Sequence, residues 1–198
     1  MFGPVGEFGD ELDELTRLAI QARRGEPAVM ASFIRATQRE VYSLCAYLVD
    51  EATAEDLAQE TYLRIFRALP RFRRESSART WLLSIARRVC MDELRRRVRQ
   101  RHRETLVPEF DTDRAEPWED DGDAEIRELL KHVPEDRRSA FVLTQILGLT
   151  YADAGHICGC APGTIGSRIA RARDDLIQAL ERGGSRREEK EARPDAME

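Results

Sequence analysis

Residues 148–180 read GLTYADAGHICGCAPGTIGSRIARARDDLIQAL, and this stretch constrains the chain more than any other. Two helical patterns meet at a glycine turn, the order in which a helix-turn-helix reader of duplex DNA is built. Thr150 followed three residues later by Asp153 supplies an N-cap and an acidic third position, which predicts a first helix from Tyr151 to about Cys158. Gly159 then turns the chain. A second helix starts near Pro162, whose missing amide is harmless in a first turn, and Ile165, Ile169, Ala172, Leu176 and Leu180 recur at helical spacing on one face. Thr164, Gly166, Ser167, Arg168 and Arg171 lie at or near its N-terminal half, away from that stripe. A recognition helix presents its base-reading groups there.

A chain of 198 residues holds one large or two small domains. With 35% charged and 41% hydrophobic residues it reads as a soluble, mostly helical protein. It has no run of about 18 apolar residues, so neither a transmembrane helix nor membrane insertion is expected. The start, MFGPVGEFGDELDEL, is acidic and lacks the basic and apolar blocks of a signal peptide, so a cytoplasmic location is expected.

The net charge of −5 would speak against a nucleic-acid partner if it were spread evenly, but it is segregated. Residues 1–61 carry 5 basic and 12 acidic side chains, residues 62–103 carry 14 and 3, and residues 104–128 carry 2 and 11. An acidic surface, a basic surface and an acidic spacer follow one another. All basic residues except Lys131 and Lys190 are arginine, which a GC-rich genome explains as readily as a need for bidentate phosphate contacts.

Cys45, Cys90, Cys158 and Cys160 sit on or beside predicted helices and read as reduced thiols. His156, Cys158 and Cys160 form an H-x-C-x-C cluster, but the spacing is tighter than in structural zinc sites and no second ligand pair accompanies it. No metal and no cofactor are expected.

Apolar periodicity predicts helices over 12–24, 28–48, 54–69 and 78–99, the third ended by Pro70 and the fourth preceded by a polar, basic connection at 71–77. Residues 1–103 form an N-terminal helical domain with its core at about 28–101. Residues 104–123, with Pro108, Pro117 and nine acidic residues, read as a flexible linker. Its twenty residues span up to roughly 70 Å when extended, enough to let two small domains sit far apart on a larger partner or on DNA. Residues 124–182 form a C-terminal domain with helices over 124–131 and 135–147 before the helix-turn-helix. Residues 183–198 read as a disordered, charged tail. The expected fold class is all-α: two small helical domains joined by a flexible acidic linker.

Two further constellations bear on function. Residues 71–81 combine arginines, hydroxyls and aromatics at a helix entrance, a composition able to hold a single strand with arginine on phosphate and ring faces for unstacked bases. Trp81, on an apolar stripe, also fits a core role. For Arg87, Arg88, Arg95, Arg96, Arg97 and Arg99, a solvated basic face and a DNA surface are equally compatible with the sequence. In the second constellation Asp56, Gln59, Glu60 and Leu63 share one side of a helix whose Leu57, Phe66 and Leu69 face a core. That side is either an exposed polar face or a dock for a partner helix.

In this order, DLAQETYLRIFRALPRF, RESSARTWLLSIARR, an acidic linker and LGLTYADAGHICGCAPGTIGSRIARARDDL closely resemble bacterial RNA polymerase sigma factors of the extracytoplasmic-function group, over about residues 28–180. The resemblance implies a non-enzymatic initiation factor that brings core RNA polymerase to promoter DNA, with an anti-sigma factor as a further partner. It implies that Asp56, Gln59, Glu60 and Leu63 meet the polymerase clamp. It places Arg74, Ser76, Ser77, Arg79, Thr80, Trp81, Arg87 and Arg88 at the melted minus-ten element, and Thr164, Gly166, Ser167, Arg168 and Arg171 at the minus-thirty-five duplex. The acidic linker resembles the family segment that threads polymerase channels meant for nucleic acid.

One position departs from the pattern. Family members commonly carry a long basic side chain where this chain has Gly166, so minus-thirty-five readout is expected to be altered or weakened there. Two rival readings are a stand-alone helix-turn-helix regulator, which leaves the basic segment unexplained, and a metal or thiol enzyme built on His156, Cys158 and Cys160.

Overall fold

The computed structural model describes residues 12–103 and 122–191, and within them the side chains of 12–101 and 124–182. The elements are α1 (Glu14–Ala22), α2 (Pro27–Leu48), α3 (Ala54–Ala68), a 3-10 turn (Leu69–Arg71), α4 (Ala78–Arg103), α5 (Gly122–Leu130), α6 (Glu135–Phe141), a π-helical turn (Val142–Ile146), α7 (Tyr151–Cys158) and α8 (Pro162–Glu191). The described residues contain no strand. Most of the linker, residues 104–121, and the end of the tail, 192–198, lie outside them. The helical backbone of α8 continues through residues 183–191, beyond the point where the tail is expected to begin.

Local chemistry sets these boundaries. The Asp13 carboxylate caps α1 by accepting from the Thr16 amide at 2.8 Å, and the Thr16 hydroxyl in turn accepts the Ala78 amide at 2.9 Å. One residue thus ties the start of α1 to the start of α4. The Ser77 hydroxyl accepts the Thr80 amide at 3.1 Å, satisfying a first-turn donor of α4. Pro27 opens α2 and Pro162 opens α8, where a missing amide costs nothing.

Helices α1 to α4 bury Phe33, Leu44, Leu48, Ile65, Leu82 and Leu83, all fully enclosed. Helices α5 to α8 bury Leu130, Val133, Leu143, Ile165 and Ala172. The two halves are not held apart. Helix α7 packs on α4, and α5 and α6 pack on α2, so that one continuous apolar core runs through both. Proximity wins over linker reach because each half keeps apolar surface that water would otherwise meet, and burial stabilises at about 25 cal/mol per Å².

Arg138 is the polar centre of this junction. Only 8% exposed, it donates to the carbonyls of Leu48 (2.9 Å), Val133 (3.1 Å) and Lys131 (3.3 Å). Burial pulls its pKa below the ordinary arginine value, partly countered by Glu135. At the edge Arg127 donates to Glu51 at 3.2 Å and lies 6.0 Å from the centre of the Tyr47 ring.

Candidate nucleic-acid and polymerase surfaces

The helix-turn-helix forms with the boundaries its sequence predicts. Thr150 caps α7 by accepting the Asp153 amide at 3.1 Å, and its hydroxyl donates to the Asp153 carboxylate at 2.6 Å. Gly159 closes α7 in the left-handed region at φ 67°. The Cys160 amide then reaches back to the Gly155 carbonyl at 3.0 Å. A β-carbon at Gly155 would sit 2.7 Å from the Cys160 carbonyl oxygen, so the turn closes only over a bare α-carbon.

On α8 the apolar stripe turns inward at Ile165, Ile169 and Ala172, is half-buried at Leu176, and emerges at Leu180, 51% exposed. Thr164, Ser167 and Arg171 stand exposed on the other side, with Gly166 and Arg168 half-buried between them. Arg168 donates to Asp136 on α6 at 2.8 Å and lies 3.5 Å from the Cys160 sulfur.

The basic loop and the start of α4 carry the second set. Arg74 is exposed and holds φ 60°, a conformation rare for a residue with a β-carbon. Ser76 and Ser77 are half-buried, and Ser77 shares a 2.9 Å hydrogen bond with the hydroxyl of Thr80. Trp81 stacks obliquely on Phe72, ring centres 4.9 Å apart, so part of the ring serves the core while the residue stays half-buried. Arg88 is exposed.

Three residues of this set face the other half of the molecule. The Thr80 hydroxyl, in a residue only 2% exposed, donates to Asp153 on α7 at 3.0 Å. Arg79 donates to Glu40 on α2 at 2.8 Å and also to the carbonyl of Leu147. Arg87 lies 3.6 Å from Asp136, the same carboxylate that holds Arg168, while its Nε is buried without a hydrogen-bond partner. Sequence reasoning misses Glu40, Asp136, Leu147 and Arg138 altogether. Asp153 carries one signal, as a capping-box acid, but nothing local shows where its other oxygen goes.

Much of the basic run at the end of α4 is neutralised internally. Arg97 donates to Asp50, to Glu93 at 2.8 Å and to Thr53 at 3.0 Å, tying α4 to the loop before α3. Burial opposes ionisation of Asp50, but the hydrogen bonds from Arg97 and Thr53 outweigh it and hold its carboxyl below the ordinary range. Arg95 and Arg96 pair with Asp92 and Glu93 on their own helix. Arg97 is therefore a structural residue of the N-terminal half.

The face expected to meet the polymerase lies on α3. Asp56 and Gln59 are exposed, Glu60 is half-buried and accepts from Arg64 at 2.8 Å, and Leu63 is 51% exposed. Leu57 and Leu69 bury on the opposite side, as their spacing predicts, whereas Phe66 is only half-buried against the core and Ile65 is fully enclosed. An apolar side chain beside acidic and amide groups on an open helix face suits a partner that brings its own basic and apolar side chains.

Cys45 and Cys90 are fully buried with sulfurs 3.7 Å apart, and Cys158 and Cys160 are half-buried. The contact between Cys45 and Cys90 together with burial pushes the Cys45 thiol well above its usual pKa, so it stays protonated. Among the described residues no group of histidine, cysteine and carboxylate side chains is placed to hold a metal ion.

Comparison with known proteins defines the class first. The sigma-70 region 2 family model matches residues 33–100, and the sigma-70 region 4 model matches residues 123–176. Both are sigma-70 regions, matched in the order region 2 then region 4. The chain is 48% identical over 174 residues, 85% of its own length and 92% of the relative's, to the ECF RNA polymerase sigma factor SigC of Mycobacterium tuberculosis. It is 30% identical over 179 residues to the RNA polymerase sigma-H factor of Pseudomonas aeruginosa, covering 83% and 93% of the two chains. A solved structure of the sigma factor RpoE in complex with the anti-sigma factor NepR from Bartonella quintana superposes with a TM-score of 0.65 at 27% identity, covering 76% of this chain and 96% of that one. The chain belongs to the extracytoplasmic-function family of sigma factors, the proteins that direct promoter-specific transcription by RNA polymerase.

Proposed function

We propose that this chain, bound to core RNA polymerase, reads a promoter at two points. The N-terminal half of α8 enters the major groove of the minus-thirty-five duplex with Thr164, Ser167, Arg168 and Arg171, while Gly166 offers no side chain there. The loop and helix carrying Arg74, Ser76, Ser77, Arg79, Thr80, Trp81, Arg87 and Arg88 hold the melted minus-ten strand, with arginine on phosphate and hydroxyl or ring groups for an unstacked base. Asp56, Gln59, Glu60 and Leu63 dock on the polymerase clamp. Residues 1–103, 104–123, 124–182 and 183–198 serve as region 2 domain, acidic linker, region 4 domain and tail.

The observation that carries this reading is the division of α8: Ile165, Ile169 and Ala172 are buried behind an exposed row of Thr164, Ser167 and Arg171. That division leaves hydrogen-bonding groups exposed at the helix end that a helix-turn-helix offers to DNA, the Ser167 hydroxyl resting on the Thr164 carbonyl at 2.9 Å. In the closed arrangement of the two halves, Thr80 and Arg87 face α7 and α6, so promoter engagement requires the halves to part. The chain itself carries out no bond chemistry; it supplies positioning and strand separation while polymerase transfers the nucleotide. It works in the cytoplasm, and the anti-sigma complex of its Bartonella relative supports an anti-sigma partner here as well.

Transcription by core polymerase from a promoter library, with and without this protein, tests the proposal. Specific start sites that appear only with the protein are the expected result. No sequence-selected initiation by folded, polymerase-bound protein would refute it.

A further inference from the structure

Helix α1 lies outside the residues that either sigma-70 region matches, yet it touches both ends of the basic loop. At the loop's exit the Thr16 hydroxyl accepts the Ala78 amide at 2.9 Å. At its entry Arg23 donates to the carbonyl of Pro70 at 3.2 Å. Thr16 and Arg23 stand seven residues apart, which is two helical turns, so both project from the same side of α1.

Each anchor has a chemical reason. Ala78 opens α4, and a first-turn amide has no partner within its own helix. Ala78 is fully buried, so water does not serve that amide, and Thr16, itself 2% exposed, does. The Thr16 hydroxyl donates to the Asp13 carboxylate at 2.5 Å, which commits its proton there and turns its lone pairs to the amide. The Arg23 contact lies on the surface, where a charged donor makes the stronger kind of hydrogen bond to a carbonyl.

Lengths decide what the loop does between its anchors. The two anchoring side chains leave α1 about 10 Å apart along its axis. The chain from Pro70 to Ala78 reaches roughly 26 to 29 Å when extended, well beyond that span even with an arginine side chain added. The slack bows outward. Arg73, Arg74 and Glu75 stand exposed at its middle, with Arg74 at φ 60°. A shift of either anchor moves this bow relative to Thr80 and Trp81 behind it.

We propose that α1 is a splint for the melted-strand loop, with Thr16 and Arg23 as positioning residues that fix the spacing of its ends and thereby the place of Arg74 and Ser76. The proposal rests on the reading of this loop as the holder of the unpaired minus-ten strand. It makes a helix outside the matched regions a determinant of base selection there.

The test is binding of the polymerase holoenzyme to a fluorescent forked promoter, double-stranded at minus thirty-five and single-stranded at minus ten, with each base placed in turn at every minus-ten position. Thr16→Val keeps the shape and removes the acceptor. It is expected to lower discrimination between the best and worst base roughly tenfold, the scale of one buried hydrogen bond left unmade. Thr16→Ser keeps the hydroxyl and restores discrimination. Arg23→Ala, a surface change that leaves the core untouched, is expected to lower it about threefold, and decides the matter where Thr16→Val unfolds the N-terminal half. Affinity for core polymerase and for a fully duplex minus-thirty-five fragment stays at the wild-type value, which a general loss of stability would not allow. Wild-type discrimination in either folded variant, an equal loss on the duplex fragment, or no rescue by serine overturns the proposal. Arg74→Ala separates the two claims. If it weakens binding to the forked promoter while the α1 variants do not, only the splint falls; if it binds like the wild type, the minus-ten reading falls and the splint with it.

Discussion

The hydroxyl of Thr80 on α4 donates to the carboxylate of Asp153 on α7 at 3.0 Å, joining two segments 73 residues apart in the chain. Asp153 thus serves its own helix cap through one oxygen and latches the other half of the molecule through the other. Thr80 belongs to the set proposed to hold the melted strand, so this bond and strand binding exclude each other. Asp153→Ala is expected to loosen α7 from α4, since a hydrogen bond to a charged group contributes about 1.5–3 kcal/mol. Fluorescence transfer between labels on α3 and α8 should fall in the variant; an unchanged distance distribution would show that apolar packing alone holds the halves together.

Arg138 offers a stability test at the same junction. Its guanidinium serves three backbone carbonyls, at Leu48, Val133 and Lys131. Arg138→Met keeps the apolar stem and leaves those oxygens unserved. A loss of about 2–4 kcal/mol is expected, read as a lower urea midpoint.

Gly159 isolates backbone strain from packing. It sits at φ 67°, and a β-carbon added there would have nothing within 4 Å, so Gly159→Ala meets no clash. The left-handed conformation alone should cost about 1–2 kcal/mol. Thermal denaturation checks it, and Gly159→Asn should recover part of the loss, because asparagine tolerates that region better.

Gly166→Arg tests how the duplex is read. The new β-carbon would meet Tyr151 at 3.5 Å, an ordinary contact, so the helix-turn-helix should still fold. An added arginine at the groove should change minus-thirty-five base preference and steepen the salt dependence of binding by about one counterion. Promoter selection from a randomised library decides, and preferences indistinguishable from the wild type would show that position 166 does not face a base.

Acid should weaken the N-terminal half through Asp50. Its folded pKa lies below the ordinary carboxylate value because hydrogen bonds from Arg97 and Thr53 overcome its burial. The sign follows from linkage: the stabilisation is fully present above about pH 4, where the unfolded group is ionised, and is lost as pH falls through the lower folded value. Melting temperature should therefore drop more steeply as pH falls below about 4 in the wild type than in Asp50→Asn.

Legibility in the sequence tracks the range of the interactions. The cap at Thr150, the turn at Gly159 and the start at Pro162 lie within a few residues of what they control, and all three stand where the sequence places them. The buried sides of α3 and α8 follow from spacing in the same way, until Leu180, where the stripe outruns the neighbours that could cover it. Arg97 shows the opposite case. As a member of a basic run it looks no different from Arg95 or Arg99, yet Asp50 and Thr53, more than forty residues away, make it a strut between helices.

The sequence by itself determined an all-α fold and its helix-turn-helix, because helical periodicity and capping act over one or two turns, while its resemblance to sigma factors implied the order of the two parts. Only the tertiary structure decided that these parts close on one another. Asp136 standing between Arg87 and Arg168, Asp153 against Thr80, and Arg138 beneath the end of α2 all depend on where distant backbones come to rest. Such contacts leave no periodic trace in the residues that make them, since apolar packing of whole helices places the partners and the polar groups then pair with whatever they meet.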